Sequence, residues 1–223
     1  MIKEHKFHGV YVEEGRKKRF FTKNLVPGKT VYTEDLVRRG RDEYRTWDTK
    51  KSKLGAALAK GVSQIGIKPG NTVLYLGCAS GTTPSHVSDL VGKDGFVFSL
   101  DFAPRVMREI VPVCEDRSNM CPIIADAFHP ENYYHQVTLV DAVFQDIAQR
   151  NQSEIFLKNC RVFLKNGGFG ILVVKARSID QKRKTKAIFA QVRTELEREM
   201  VIVDYRTLDP FELDHCIYIC KKK

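Results

Sequence analysis

Along the chain, the spacing of apolar positions changes once. Up to about residue 51 they come in short alternating segments, FHGVYVEE, RFFTKNLV, TVYTEDLVR and DEYRTWD, divided by Gly, Pro and charged turns. A period of two broken by turn residues predicts a small β-rich N-terminal domain over 1–51. From Lys53 the spacing becomes helical. Leu54, Ala57, Leu58, Gly61 and Val62 recur behind Ser52, whose hydroxyl suits an N-cap, so a helix leads into a second domain over 52–223.

Beyond that helix, apolar runs and helical segments alternate. TVLYLG (72–77) is followed by a helix over 82–92, GFVFSLD (95–101) by a helix over 104–116, and CPIIAD (121–126) by a short helical piece, PENYYHQV. VDAVFQDIA (140–148), a helix over 153–165, GGFGILVVKA (167–176) and a charged helix over 185–200 complete the alternation. Strands alternating with helices predict a parallel sheet covered on both faces, an α/β, doubly wound architecture. The last two runs, MVIVDYR and HCIYICK, lie too close for a crossover helix and must pair antiparallel. A mostly parallel seven-stranded sheet with a C-terminal antiparallel hairpin resembles the Rossmann-like S-adenosylmethionine-dependent methyltransferase fold.

With 43% hydrophobic and 29% charged residues in 223, the composition is that of a globular protein, which excludes disorder and collagen. No apolar run approaches the roughly 18 residues of a membrane span, so no membrane association is expected. Six cysteines lie scattered without C-x-x-C spacing, several inside apolar runs. That pattern predicts no metal site and free thiols in a reducing, intracellular compartment. Lys plus Arg number 37 against 27 Asp plus Glu, for a formal charge of +10. Five cations against one acid crowd RSIDQKRKTK (177–186), and four more occupy GRKKRF (15–20), so the expected partner is a polyanion.

The loop after the first run of the main domain, LGCASGTT (76–83), carries glycines at 77 and 81. They allow backbone N–H groups to approach a ligand at a helix N-terminus. A dinucleotide loop would read G-x-G-x-x-G, but Ala79 crowds the middle position against a pyrophosphate; G-x-x-x-G suits the methionine end of S-adenosylmethionine. Acids end the next three runs: Asp101, followed by Phe102, then Asp126 and Asp146. Carboxylates there accept from ribose hydroxyls or an adenine amine, and Phe102 offers a ring for stacking. Lys175 ends the apolar run GFGILVVK and should emerge beside Asp146. Desolvation disfavours the charged amine and makes a lysine there a candidate general base. Lys53 and His215 are further polar residues at the edges of elements.

Long segments are similar to the fibrillarin family: TKNLVPGKTVY (22–32), EYRTWDTKKSKL (43–54), VLYLGCASGTTPSHVSD (73–89), DFAPRVMRE (101–109), DIAQRNQ (146–152), VVKARSID (173–180) and DPFELDH (209–215). They span nearly the whole chain, which resembles the form lacking a glycine-arginine-rich tail. The resemblance implies an S-adenosyl-L-methionine-dependent 2′-O-methyltransferase acting on ribose hydroxyls of rRNA, with tRNA a further candidate. It implies contact with the cofactor by Thr82, Thr83, Asp101, Phe102, Asp126, Ala127, Asp146 and Gln149, beside Gly77 and Gly81 of the loop. It also implies a catalytic set of Lys53, Asp146, Lys175 and His215, with Asp146 orienting Lys175 and with Lys53 and His215 positioning the target.

The implied partners are a box C/D guide RNA and its target RNA, a coiled-coil Nop-domain scaffold protein and a kink-turn-binding ribosomal-type protein. Asp48-Thr49, Cys78, Asp101 and Arg150 depart from the family's common residues. Without the tail, the expected location is the cytoplasm for an archaeal chain and the nucleolus for a eukaryotic one. A stand-alone methyltransferase on a small molecule or protein, and a non-catalytic scaffold, are the competing expectations.

Overall fold

The computed structural model describes residues 1–223. Five short strands, β1 (Ile2–Glu4), β2 (Val10–Glu13), β3 (Arg19–Lys23), β4 (Leu36–Arg39) and β5 (Asp42–Trp47), form an antiparallel sheet in the order β1-β2-β3-β5-β4. Alternation along β5 buries Glu43, Arg45 and Trp47 and leaves Asp42, Tyr44 and Thr46 partly open. Two features depart from the sequence pattern. β1 is too short to announce itself, and in TVYTEDLVR the strand begins only at Leu36, running on to Arg39. Before it the Glu34 carboxylate accepts from the backbone N–H groups of Val31 and Tyr32, which bends the chain into a turn.

The main body follows as α1 (Lys53–Ala59), β6 (Thr72–Leu76), α2 (Thr82–Val91), β7 (Phe96–Asp101), α3 (Pro104–Glu115) and β8 (Met120–Ile124). Then come β9 (Val140–Gln145), α4 (Gln152–Phe163), β10 (Leu164–Lys175), α5 (Ala176–Ile179), α6 (Thr185–Glu197), β11 (Met200–Thr207) and β12 (His215–Lys222). The segment expected as one short helix is a pair of 3-10 turns, Pro130–Asn132 and Tyr134–Gln136. The strand expected to run through Ala148 stops at Gln145, which frees Asp146 for the loop.

The seven strands lie in the order β11-β12-β10-β9-β6-β7-β8, all parallel except β12, which runs against both β10 and β11. Alternate residues of β6 feed two cores. Val73 and Tyr75 join α1, α2 and α3, while Leu74 and Leu76 join α4 and α6. The small sheet has no separate core, because Val10, Val12, Phe20 and Trp47 belong to the same apolar cluster as Leu54, Val87 and Tyr75. Beside that cluster runs a buried polar seam. Arg45 pairs with Glu34 at 2.6 Å and with Asp89 of α2 at 2.8 Å, and Asp89 also takes Arg117 at 2.6 Å. No helix is long and apolar enough to cross a membrane.

Candidate active site

Chain order reverses beside β6: β7 and β8 lie on one side, β9 and β10 on the other. Ligands of open α/β sheets bind at such a switch, beyond the carboxyl ends of the strands. Here the backbone itself builds the crevice floor. Gly77 and Cys78 donate to the Leu100 carbonyl at 2.8 and 3.1 Å, and Asp146 donates to the Leu76 carbonyl at 2.9 Å. Gly77 sits at φ +82°, and an added Cβ would fall on the Asp146 carbonyl oxygen. Only glycine allows the first loop to lie against the end of β9.

Above this floor opens a cleft of about 270 Å³ lined by Gly77, Asp101, Phe102, Ala127, Asp146 and Gln149 among the residues named from sequence. Ala79 of the loop, together with Leu100, Ala125, Ile147 and Ala148, which the sequence did not single out, makes its walls mainly apolar. The Asp101 carboxylate is held at the rim by the backbone N–H groups of Ala79 and Ala103, at 3.3 and 3.2 Å. Phe102, 63% exposed, presents its ring to the opening. A flat apolar slot with a carboxylate at its edge and an unpacked aromatic beside it fits a nucleoside: a ring to stack, ribose hydroxyls to be accepted.

Four residues named for the cofactor lie outside this lining. Gly81, in the left-handed conformation, caps α2, and Thr82 opens that helix half-buried. Thr83 is buried, donating its hydroxyl to Ser52 Oγ at 3.0 Å and meeting the Tyr75 phenol. Asp126, exposed, accepts from the Phe128 N–H at 2.9 Å.

The four named catalytic side chains fall at two neighbouring places. Lys53, the first residue of α1, lies 3.4 Å from Asp146 and 3.7 Å from Glu212. Burial pulls the Lys53 ammonium toward neutrality, but the two carboxylates outweigh it and raise its pKa, so the cation is held. Lys175 and His215 are directly paired across β10 and β12. His215 is buried and its Nδ1 donates to the Leu213 carbonyl at 2.7 Å, which leaves Nε2 outside that bond.

Two expectations are corrected here. Asp146 pairs with Lys53 and makes no ion pair with Lys175. Nor is Lys175 buried, because its run of apolar neighbours ends one residue short and the amine stands exposed over an open basic cleft. Sequence reasoning also passed over Gln152. Its side chain binds the backbone at both ends of the site, accepting from Lys175 N at 3.0 Å and donating to the carbonyls of Gln149 at 2.7 Å and Lys175 at 3.2 Å. Glu212 and Gln152 both lie inside the segments DPFELDH and DIAQRNQ, and that was the available signal.

A family model for fibrillarin matches residues 2–223. The chain belongs to the fibrillarin family. Among similar fibrillarin-family proteins is the fibrillarin-like rRNA/tRNA 2′-O-methyltransferase of Thermococcus onnurineus, 49% identical and covering 99% of both chains. The crystal structure of Aeropyrum pernix fibrillarin in complex with natively bound S-adenosyl-L-methionine is 42% identical, with a TM-score of 0.91 over 99% of this chain and 97% of that one. The structure of a fibrillarin/Nop5p complex is 33% identical, with a TM-score of 0.89 over 99% and 100%.

Proposed function

We propose that this chain is the S-adenosyl-L-methionine-dependent 2′-O-methyltransferase of a box C/D guide-RNA particle, acting inside the cell on ribose hydroxyls of rRNA and tRNA. One observation carries the proposal. The apolar, acid-edged cleft at the strand ends is followed at Gln149–Arg150 by an open basic cleft; Asp146, paired with Lys53, lines the first, and Lys175, the strand partner of His215, lines the second. Asp101 is assigned the ribose hydroxyls, Phe102 one face of the adenine, and Asp126 with Ala127 its exocyclic edge. S-adenosyl-L-methionine supplies an electrophilic sulfonium methyl.

Everything else falls to the protein's own groups. Lys175 receives the 2′-hydroxyl proton as the new O–CH₃ bond forms and the S–CH₃ bond breaks. Docked RNA covers its otherwise exposed amine. The Lys53 ammonium, fixed by Asp146 and Glu212, and His215 Nε2 hold the target ribose in line, so positioning supplies much of the acceleration. The similarity to the fibrillarin of a Nop5p complex supports a Nop-domain scaffold as partner. A kink-turn-binding protein and guide RNA complete the particle, in which base pairing chooses the nucleotide.

The test is transfer of labelled methyl to a target RNA by the chain alone and by the assembled particle. The expected result is transfer in the particle only, abolished by a 2′-deoxy target and reduced at least about 100-fold by Lys175→Ala. Turnover by the chain alone on a small molecule, or cofactor binding with no transfer in any assembly, would sink the proposal.

A further inference from the structure

The open cleft beside Lys175 holds about 730 Å³ and is walled by Arg150, Arg177, Ser178 and Lys182. Its charge is only partly balanced from within. Arg177 is engaged with Asp214 at 3.0 Å, whereas Arg150, Lys175 and Lys182 are exposed and form no ion pair. The one acid in the wall, Asp180, has its carboxylate turned to its own loop. It accepts from the N–H groups of Lys182 and Arg183 at 2.8 and 3.1 Å, and these bonds hold its carboxyl below the ordinary range.

That loop is fixed in place. Besides the Asp180 turn, Arg177 donates to the carbonyls of Gln181 and Arg183, at 2.9 and 3.4 Å. Asp214, immediately before His215, takes Arg177 on one oxygen and the Thr185 hydroxyl on the other. Lys182 is thus carried on a loop tied through Asp214 to the strand that bears His215, and Arg150 directly follows Gln149 of the cofactor cleft. Two free cations, Arg150 and Lys182, therefore converge beside Lys175 on one open cavity whose loop is held by several hydrogen bonds.

We propose that this cleft is a phosphodiester subsite, in which Arg150 and Lys182 bind the phosphate 3′ to the target ribose while Lys175 faces its 2′-hydroxyl. This rests on the function proposed above and deepens it. A 2′-hydroxyl and the 3′-phosphodiester hang from adjacent ribose carbons. A cation cluster walled by the proton acceptor therefore meets that phosphate first. A planar guanidinium and a flexible ammonium suit two non-bridging phosphate oxygens. Such contacts carry no sequence information, consistent with base selection by the guide.

The test uses the assembled particle and two target RNAs, one natural and one with a neutral methylphosphonate at the 3′ linkage of the target nucleotide. For the wild type, the methylphosphonate should raise KM for target about ten-fold. The double variant Arg150→Ala, Lys182→Ala should already show that loss on natural RNA, be indifferent to the methylphosphonate, and lower the salt slope of target binding by about 1. Lys182→Ala alone, remote from the cofactor cleft, should give about half that slope change with cofactor affinity retained. Wild-type KM and slope in the variants, or undiminished sensitivity to the methylphosphonate, would overturn the subsite and leave the methyltransferase standing. No transfer by the wild-type particle would overturn both.

Discussion

Lys53 is a residue whose charge is set by its neighbours. Because the carboxylates of Asp146 and Glu212 raise its pKa above 10.5, its ion pairs contribute full stability below that value. The contribution is lost only as pH climbs through the higher folded value. The stability gap between wild type and Lys53→Met, followed by urea unfolding, should therefore stay constant from neutral pH to about pH 10 and close above it. Gly77→Ala makes a different demand. It forces a side chain into a left-handed backbone and onto the Asp146 carbonyl, so we expect a loss of more than about 2 kcal/mol in thermal unfolding, together with lost cofactor binding. Gly77 and the acids at the strand ends were legible from sequence because chain order alone puts them there. The bond from Thr83 to Ser52, 31 residues away in the chain, has no local signal. The exposure of Lys175 was equally hidden, since an apolar run says what surrounds the backbone before a residue and nothing about what covers its end.

At the scale of elements, the strand and helix order followed directly from hydrophobic period. Errors fell where a side chain overrules the pattern, as Glu34 does in bending residues 31–34. The most consequential local signal was Ser52. Read as an N-cap, it accepts from Gly55 N at 3.2 Å, and it also accepts from the Trp47 indole at 2.8 Å and from Thr83. One hydroxyl thus ties β5, α1 and α2 at the residue before Lys53. Ser52→Ala removes the cap and leaves a buried indole N–H without an acceptor. Each of these costs about 1–2 kcal/mol, so urea unfolding should register about 2–4 kcal/mol. Transfer should fall beyond what stability explains, because α1 sets the position of Lys53. Ser52→Thr, which keeps the oxygen, should restore most of both.

In the whole molecule, the small sheet and the large one are joined by the seam of Arg45, Glu34, Asp89 and Arg117. Sequence could not show it. Arg45 falls on an inward position of a strand whose neighbours are aromatic, and Asp89, its partner, lies 44 residues on. Burial raises the Glu34 carboxyl, but N–H groups of Val31 and Tyr32 and the Arg45 cation outweigh it and set its pKa below 4.5. Its contribution is present above pH 4.5 and fades as pH falls through the folded value, so acid unfolding should begin below 4.5. Glu34→Gln should cost about 3 kcal/mol near neutrality, because it leaves half of Arg45 uncompensated, and should flatten the acid limb of stability against pH. The contact between Gly77 and the Asp146 carbonyl reaches further than the fit of one loop. Two backbones locked together at the inner wall cannot part to admit a ligand. We therefore expect any breathing of the cleft at its outer lip, where Phe102 and Ala148 stand exposed, and least at the wall formed by Gly77 and Asp146.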